Sequence, residues 1–200
     1  SVILDSCEFI GNEAQTGGGA IYTGGANLTI INSSIISGNT SGGTGGAISS
    51  YTSSLEIAGS TISSNEAGGN GGGIFTDNSS FQILHSDISA NTALRGGGIF
   101  AQTTDTCFAI INHSSLSDNY AQGFGGGIVL DDGIFSTINY STISGNESGD
   151  HAGGIYCVPC NLEMNYSEIT GNTAVEYGAG LYLNFTDQVE NTVLNNVTIV

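Results

Sequence analysis

Residues 60–74 of the 200-residue chain read STISSNEAGGNGGGI, from Ser60 to Ile74, and they contain the two phrases from which the sequence is built. The first phrase is Ser-x-Ile-x-x-Asn and the second is a glycine triplet followed by isoleucine. Variants of the pair occur seven times, with their asparagines at Asn12, Asn39, Asn65, Asn91, Asn119, Asn146 and Asn172. Successive asparagines lie 26 to 28 residues apart, and a constant period of this length is the signature of a solenoid.

Apolar residues recur at three places in each copy. They stand three and eight residues before the asparagine and at the end of the glycine phrase, as Ile62, Ile57 and Ile74 do in the quoted copy. In the second copy, the residue eight before the asparagine is Ile31. Apolar segments this short, separated by glycine, serine and asparagine, are typical of β-strands and not of amphipathic helices. We therefore predict three short strands per copy.

Strands that pair with their equivalents one copy later form a parallel β-helix, with coils about 4.8 Å apart. We predict an all-β fold, a single-stranded parallel β-solenoid with 26 to 28 residues per coil. Residues 1–200 would form one segment of about seven coils. Solenoids need polar caps, and neither end of the sequence has one, so we expect this segment to be part of a longer array with open ends.

The asparagine column has two compatible interpretations. Its amides can stack along the solenoid axis, each bonding to the next coil, and asparagine also tolerates the left-handed backbone of a turn residue. We expect stacking inside the turn, because buried polar groups need partners. Five residues before each asparagine stands a small residue, serine in six copies and Cys7 in the first, which suits a tightly filled interior. The glycine triplets predict a corner with unusual backbone angles.

Composition limits the partners. Eighteen acidic residues face one basic residue, Arg95, and the formal net charge is −17. Such a charge repels nucleic acids and anionic lipids, so we expect no nucleic-acid partner. The sequence contains no lysine, which excludes a P-loop. No apolar run approaches the roughly 20 residues of a membrane span, so we expect no membrane insertion by this segment. We also expect no cofactor and no metal.

Two of the four cysteines form the sequence Cys157-Val158-Pro159-Cys160. This spacing fits redox chemistry, half of a zinc site, or a short disulfide. No second such pair follows, and no helix is predicted that would lower a thiol pKa. We therefore expect a disulfide between Cys157 and Cys160 in an oxidising compartment.

Ten Asn-x-Ser/Thr sequons occur in the chain. Many arise because the sequence is rich in these residues, and those at Asn39 and Asn146 belong to the asparagine column. Asn27, Asn78 and Asn184 lie in variable loops and are the candidates for N-glycosylation. Glycans there would place the chain outside the cytosol.

An aromatic row follows the isoleucines that end the glycine phrases: Tyr22, Phe75, Phe100, Tyr156 and Tyr182. Because side chains alternate along a strand, this row should point away from the core. Exposed aromatic stripes often mark partner surfaces or sugar platforms, so we expect a contact row here. The alternative is that a loop folds over it. A second row, His85, His113, Tyr140 and Tyr166, is interpreted as structural stacking.

The two phrases resemble the GGAI and FxxN repeats of the chlamydial polymorphic outer membrane proteins. Residues 18–21 and 45–48 both read GGAI, and Phe9-Ile10-Gly11-Asn12 matches FxxN. The other copies replace phenylalanine by isoleucine or leucine, or alanine by glycine. Repeats of this kind are shared by many large surface proteins, and the resemblance implies a right-handed parallel β-helix with a structural or adhesive role outside the cell.

These observations favour a non-enzymatic, extracellular or cell-surface β-solenoid. It would be the shaft of a large surface protein or a filament subunit that associates with itself end to end or laterally. The alternative is an adhesin or glycan-binding module that binds other surface proteins or glycans. A polysaccharide hydrolase is the third hypothesis, since two suitably spaced carboxylates suffice for glycoside hydrolysis.

Overall fold

The computed structural model describes residues 1–184 and 191–200, and the secondary structure of these residues consists of β-strands. All strand pairs in this part of the chain are parallel, and each strand pairs with its equivalents in the neighbouring coils. The strands form three sheets, named A, B and C below, that wind around one axis. The predicted all-β solenoid of about seven coils is thus confirmed.

Sheet A has 13 strands and holds two segments from each coil. Its strands are β1 (Val2–Asp5), β4 (Ile21–Gly24), β5 (Leu28–Ile31), β8 (Ile48–Tyr51), β9 (Ser54–Ala58), β12 (Ile74–Asp77), β13 (Ser80–Leu84), β16 (Ile99–Gln102), β17 (Phe108–Asn112), β20 (Ile128–Asn139), β23 (Ile155–Asn165), β26 (Leu181–Leu183) and β27 (Thr192–Asn195). Strands β20 and β23 are long because each runs through both segments of its coil.

Sheets B and C contain the shorter segments. Sheet B consists of β2 (Glu8–Ile10), β6 (Ile35–Ser37), β10 (Thr61–Ser63), β14 (Asp87–Ser89), β18 (Ser115–Ser117), β21 (Thr142–Ser144), β24 (Glu168–Thr170) and β28 (Thr198–Ile199). Sheet C consists of β3 (Glu13–Ala14), β7 (Thr40–Ser41), β11 (Glu66–Ala67), β15 (Thr92–Ala93), β19 (Tyr120–Ala121), β22 (Glu147–Ser148) and β25 (Thr173–Ala174). The strands of sheet C follow the asparagines and add a fourth strand segment to each coil, so the prediction of three strands per copy is wrong. Each of these two-residue strands brings only an alanine or a serine to the interior, which is too little apolar character to predict a strand.

The three apolar columns form the core. Ile57, Ile62 and Ile74 are fully buried in one cluster that runs along the axis. The interpretation of Ile31 as a core residue is wrong, because Ile30 pairs with Ile57 in register and is the buried residue. The physical reason is a longer corner in this coil, where Asn32 and Ser33 both have positive φ and shift the preceding strand by one residue.

The glycine triplets form the corner between sheets C and A. In the triplet of residues 71–73, Gly71 has φ +72°, and a Cβ on it would lie 2.4 Å from the carbonyl oxygen of Ile74. A Cβ on Gly72 would lie 2.3 Å from the carbonyl oxygen of Gly97 in the next coil. The first glycine therefore makes the backbone fold back over its own strand, and the second lets neighbouring coils approach closely. This corner, formed by residues 71–73 and their equivalents in the other coils, is called the glycine arch below. It determines which outward-pointing side chains remain accessible to solvent.

Candidate binding surface

The seven column asparagines form one hydrogen-bonded ladder along the inside of the turn between sheets B and C. The side-chain oxygen of Asn91 accepts from both the backbone N–H (3.0 Å) and the side-chain amide (2.9 Å) of Asn65. The amide of Asn91 also donates to the carbonyl oxygen of Ile62 at 3.0 Å. The same pattern runs from Asn12 to Asn172. The amide groups of these side chains form hydrogen bonds between coils, so they are not free to bind a ligand.

Two further polar rows also form hydrogen bonds between neighbouring coils along the axis. The hydroxyl of Ser141 donates to the carbonyl oxygen of Asn139 (2.7 Å) and accepts from the backbone N–H of Ser114 (3.1 Å). Beside it, the amide of Asn165 donates to the side-chain oxygen of Asn139 at 2.8 Å. The serines, expected as small filling residues, thus form hydrogen bonds between coils, and the second asparagine row was not predicted. The shared spacing of Asn139 and Asn165 before their serines was the available signal.

The expected contact row is largely covered, and this expectation is wrong for its central members. Phe75 and Phe100 are 3% and 2% exposed and form a second apolar cluster with Val129, outside the main core. Alternation does point them away from that core. The glycine arch then folds over them, and Phe124 from the arch packs against this cluster. The row is therefore covered, as in the alternative, but Phe124 belongs to the glycine corner before the isoleucine and not to a variable loop after it.

The two ends of this row differ from its centre. Tyr22 is 64% exposed, and its ring lies 5.4 Å from that of Tyr51. Tyr156 and Tyr182 are half-buried and stack at 5.2 Å. Arg95 places its guanidinium 4.8 Å from the ring centre of Phe124, so the single basic residue is held against the arch by a cation–π contact.

An exposed aromatic row lies at a different corner, between sheets A and B. His85, His113, Tyr140 and Tyr166 stack with ring centres 4.9 to 5.1 Å apart and nearly parallel planes. All four have positive φ, and Tyr140 and Tyr166 are 53% and 55% exposed. Since the ring faces cover one another, the row presents ring edges and the tyrosine hydroxyls to solvent.

A groove runs along the outer face of sheet A next to this corner. It encloses about 440 Å³, and its walls include Phe108, Ile110, Phe135, Glu163 and Val193. Phe108 and Phe135 face each other on neighbouring coils with ring centres 5.8 Å apart, and they are 51% and 45% exposed. Exposed apolar rings beside a groove are a typical feature of contact surfaces. This face exposes aromatic rings beside a groove, whereas Phe75 and Phe100 are buried.

The three glycosylation candidates occupy different environments. Asn27 is exposed. Asn78 is half-buried, and its side-chain oxygen accepts from the backbone N–H of Thr104 at 2.7 Å. Asn184 is exposed, but the rest of its sequon lies outside the described residues. The column asparagines Asn39 and Asn146 are fully buried.

The structure places a disulfide between Cys157 and Cys160 on strand β23. Both residues are fully buried and belong to the main apolar core. Cys7 and Cys107 are free thiols in the described chain, and Cys107 is buried.

Two ionisable groups near the outer face have altered acidity. Partial burial raises the pKa of Asp131 above its ordinary value of 3.8, and the neighbouring charge of Asp132 raises it further. Burial also raises the pKa of Tyr156, with additional contributions from Tyr182 and Asp131. Folding therefore shifts the acid–base equilibrium of both groups towards the neutral form.

The comparison with known protein families identifies a repeat in the first part of the chain. Residues 6–24 and 33–51 match the Chlamydia polymorphic membrane protein repeat, so the resemblance is confirmed for the first two copies. Neither the curated proteins nor the solved structures contain a match. In the described part of the chain, no helix has the length and apolar character needed to cross a membrane.

Proposed function

We propose that this chain is a non-enzymatic structural β-solenoid that forms the shaft of a large cell-surface protein or of an extracellular filament. The observation that carries the proposal is the continuous asparagine ladder from Asn12 to Asn172. The repeated polar side chains form axial hydrogen bonds, and the repeated apolar ones fill the core. A sequence pattern used in this way favours a stiff rod over an active site.

Two further observations support the proposal. The matched repeat belongs to a membrane protein family of Chlamydia, which is consistent with a location at the cell surface. Glu163 is the single carboxylate among the described residues that line the outer groove, whereas glycoside hydrolysis ordinarily uses two. A mechanical role also suits a surface with 18 acidic residues, because repulsion keeps such rods soluble.

Antibodies against the purified chain test this proposal on intact and permeabilised source cells, with immunogold electron microscopy of the same samples. We expect labelling of intact cells along projecting rods or fibres, and no release of reducing ends from a panel of polysaccharides. Labelling that requires permeabilisation would overturn the proposed location. Polysaccharide cleavage by the purified chain would overturn the non-enzymatic role.

The outer face of sheet A favours adhesion as a second candidate function. Phe108 and Phe135 are about half exposed beside the groove, and Tyr140 and Tyr166 are about half exposed at the corner that follows these strands of sheet A. Aromatic residues with apolar bodies and polar tips are enriched at interfaces. An adhesin would use this face to bind a glycan or a protein on another cell.

Binding of the fluorescently labelled chain to cells and to a glycan array tests the second candidate. We expect the double variant Phe108→Ser/Phe135→Ser to lose binding. The control Tyr22→Ser, which removes an exposed aromatic ring outside the groove, should retain it. If the double variant and the Tyr22→Ser control bound equally well, this face would be excluded as the binding surface. If the unmodified chain did not bind, the structural role as a shaft would be the function that stands.

A further inference from the structure

Three side chains with metal-ligating atoms meet at the corner between sheets C and A. One ligand atom from each of Asp150, His151 and Glu176 lies within 4.8 Å of the other two. The Nδ1 atom of His151 contacts the carboxylate of Asp150 and lies 3.9 Å from Oε2 of Glu176. This combination joins two adjacent residues of one coil to one residue of the next.

The two carboxylates are brought together by the coil repeat itself. The backbone N–H of Glu176 donates to the carbonyl oxygen of Asp150 at 2.9 Å, so the two acids occupy equivalent positions in successive coils. The same position is uncharged in the two preceding coils, at Gly123 and Leu94. Like charges directly opposite each other on neighbouring strands are destabilising. The pair therefore needs a counter-charge, and His151 stands beside it.

The imidazole of His151 is held in place beside the two carboxylates. Its ring lies 5.0 Å from Tyr177, nearly perpendicular to it, and 4.9 Å from Tyr182. The Nδ1 atom is buried, and its contact with the Asp150 carboxylate lacks the alignment of a hydrogen bond, as do its other contacts in the described chain. Buried polar atoms without a partner call for a physical explanation. A cation shared by Nδ1 and the two carboxylates supplies one.

We propose that Asp150, His151 and Glu176 bind a divalent transition-metal ion, Zn²⁺ in the first instance. Zn²⁺ takes imidazole nitrogen and carboxylate oxygen at about 2.0 to 2.2 Å, and in a tetrahedral site such ligand atoms stand about 3.4 Å apart. The side chains of Asp150 and Glu176 are 45% and 55% exposed, so Glu176 can rotate towards Nδ1 and Asp150 away from it to reach this separation. A water molecule would complete the site.

The ligand set separates transition metals from calcium. Ca²⁺ prefers six to eight oxygen ligands, whereas a site with one imidazole and two carboxylates suits Zn²⁺ and its first-row neighbours. A bound ion would link the coil of Asp150 to the coil of Glu176 and stabilise the chain by mass action. The competing explanation is an ion pair in which a protonated His151 lies between the two acids, without any metal.

Isothermal titration calorimetry with Zn²⁺ tests the proposal on the full chain, free of a histidine tag and dialysed against EDTA. We expect one saturable site per chain and a Zn²⁺-dependent rise in the thermal unfolding midpoint. Glu176→Gln and His151→Gln should each weaken Zn²⁺ binding by about tenfold or more, since even changes in outer-shell partners cost that much. The variant Glu176→Gln keeps the test valid if His151→Gln disturbs the packing against the tyrosines.

Two control variants separate this site from other sources of Zn²⁺ affinity. Glu168→Gln removes an exposed acid in sheet B, and His113→Gln removes one of the two imidazoles that stack at the other corner. Both should bind Zn²⁺ as the unmodified chain does. The proposal is overturned by the absence of a saturable site, by unchanged affinity in Glu176→Gln and His151→Gln, or by Ca²⁺ binding as tight as Zn²⁺ binding.

Discussion

Asn91 donates two hydrogen bonds to the side-chain oxygen of Asn119, one from its backbone N–H and one from its side-chain amide, each 3.0 Å long. One acceptor atom thus satisfies both donors of the preceding coil. The arrangement repeats without interruption from Asn12 to Asn172. Identical amides one coil apart stack as they do in cross-β assemblies, here within a single chain.

Removing one amide from the ladder should be costly. In Asn91→Ala, the two donors of Asn65 and the carbonyl oxygen of Ile62 lose their partner inside the fold. Each buried polar group left unsatisfied costs about 1 to 3 kcal/mol, so we expect a loss of about 3 kcal/mol or more. Urea denaturation followed by circular dichroism measures it. The exposed end residue gives the control, and Asn12→Ala should shift the midpoint little. Similar shifts in both variants would contradict a stabilising role for the buried ladder.

The second glycine of the triplet should tolerate no side chain. In Gly72→Ala, the new Cβ meets backbone oxygens of Gly97 and Thr92 at 2.3 and 2.6 Å, and these atoms belong to the next coil. We expect a loss of about 3 kcal/mol, the upper range for overpacking. The control is Gly59→Ala, which has φ +57° but open space around its Cβ, and it should cost about 1 kcal/mol. Thermal unfolding of both variants makes the comparison.

The covered aromatic cluster should contribute to stability. Phe100 is 2% exposed beneath the glycine arch, and truncation of a buried phenylalanine costs about 3 to 5 kcal/mol. We expect Phe100→Ala to lower the unfolding midpoint strongly. Tyr22→Ala, at an exposed position of the same row, should change stability by about 0.5 kcal/mol or less. If Phe100→Ala were neutral, the row would have to be accessible as the sequence suggested.

The repeat made the solenoid predictable because a fixed period places one column inward in every coil. The alternation that follows also placed Phe75 and Phe100 outside the main core. The path of the glycine arch could not be predicted from the sequence, because it depends on the positive φ of glycines such as Gly71. This path determines whether the outward aromatic rings are covered. The shift from Ile31 to Ile30 has a similar cause, since Asn32 and Ser33 both adopt left-handed angles that their residue types permit but do not require.

The candidate surface was less predictable than the fold. Phe108 and Phe135 each stand eleven residues before their asparagine and pair in register on neighbouring strands. Their contact was visible in this spacing, but the other copies have no phenylalanine at that position, so no column drew attention to it. The pairing of Asp150 with Glu176 was in principle visible, since each stands four residues after its asparagine.

Buried sequons should remain free of glycan in the folded protein. Asn146 is fully buried, and its amide donates to Asn172 and to the carbonyl oxygen of Leu116. An N-linked glycan would replace one of the hydrogens used there. Glycopeptide mass spectrometry of the chain secreted from a glycosylating host should find occupancy at exposed Asn27 and none at Asn146. Folded, thermally stable protein with glycan at Asn146 would contradict the ladder geometry.

Asp131 should make stability depend on pH in an identifiable way. Burial and the charge of Asp132 raise its pKa in the folded chain above the ordinary value of 3.8, so the folded state binds this proton more tightly than the unfolded state. The stabilisation of the folded state by this bound proton is complete below about pH 3.8. It is lost as the pH rises through the raised pKa of the folded state. The amide introduced by Asp131→Asn would remain neutral throughout and can still accept the backbone N–H of Asp132, which now donates to Oδ1 at 3.0 Å.

We therefore expect Asp131→Asn to be more stable than the unmodified chain at pH 7, by less than about 1 kcal/mol because the site is partly exposed. The difference should vanish at pH 3, where Asp131 is protonated in both states. Urea midpoints at the two pH values, with Asp87→Asn as an exposed acid on strand β14 for comparison, isolate this group from the net charge of −17. If Asp131→Asn were destabilising at pH 7, the carboxylate would be stabilised by its surroundings, because only a lowered folded-state pKa gives that sign.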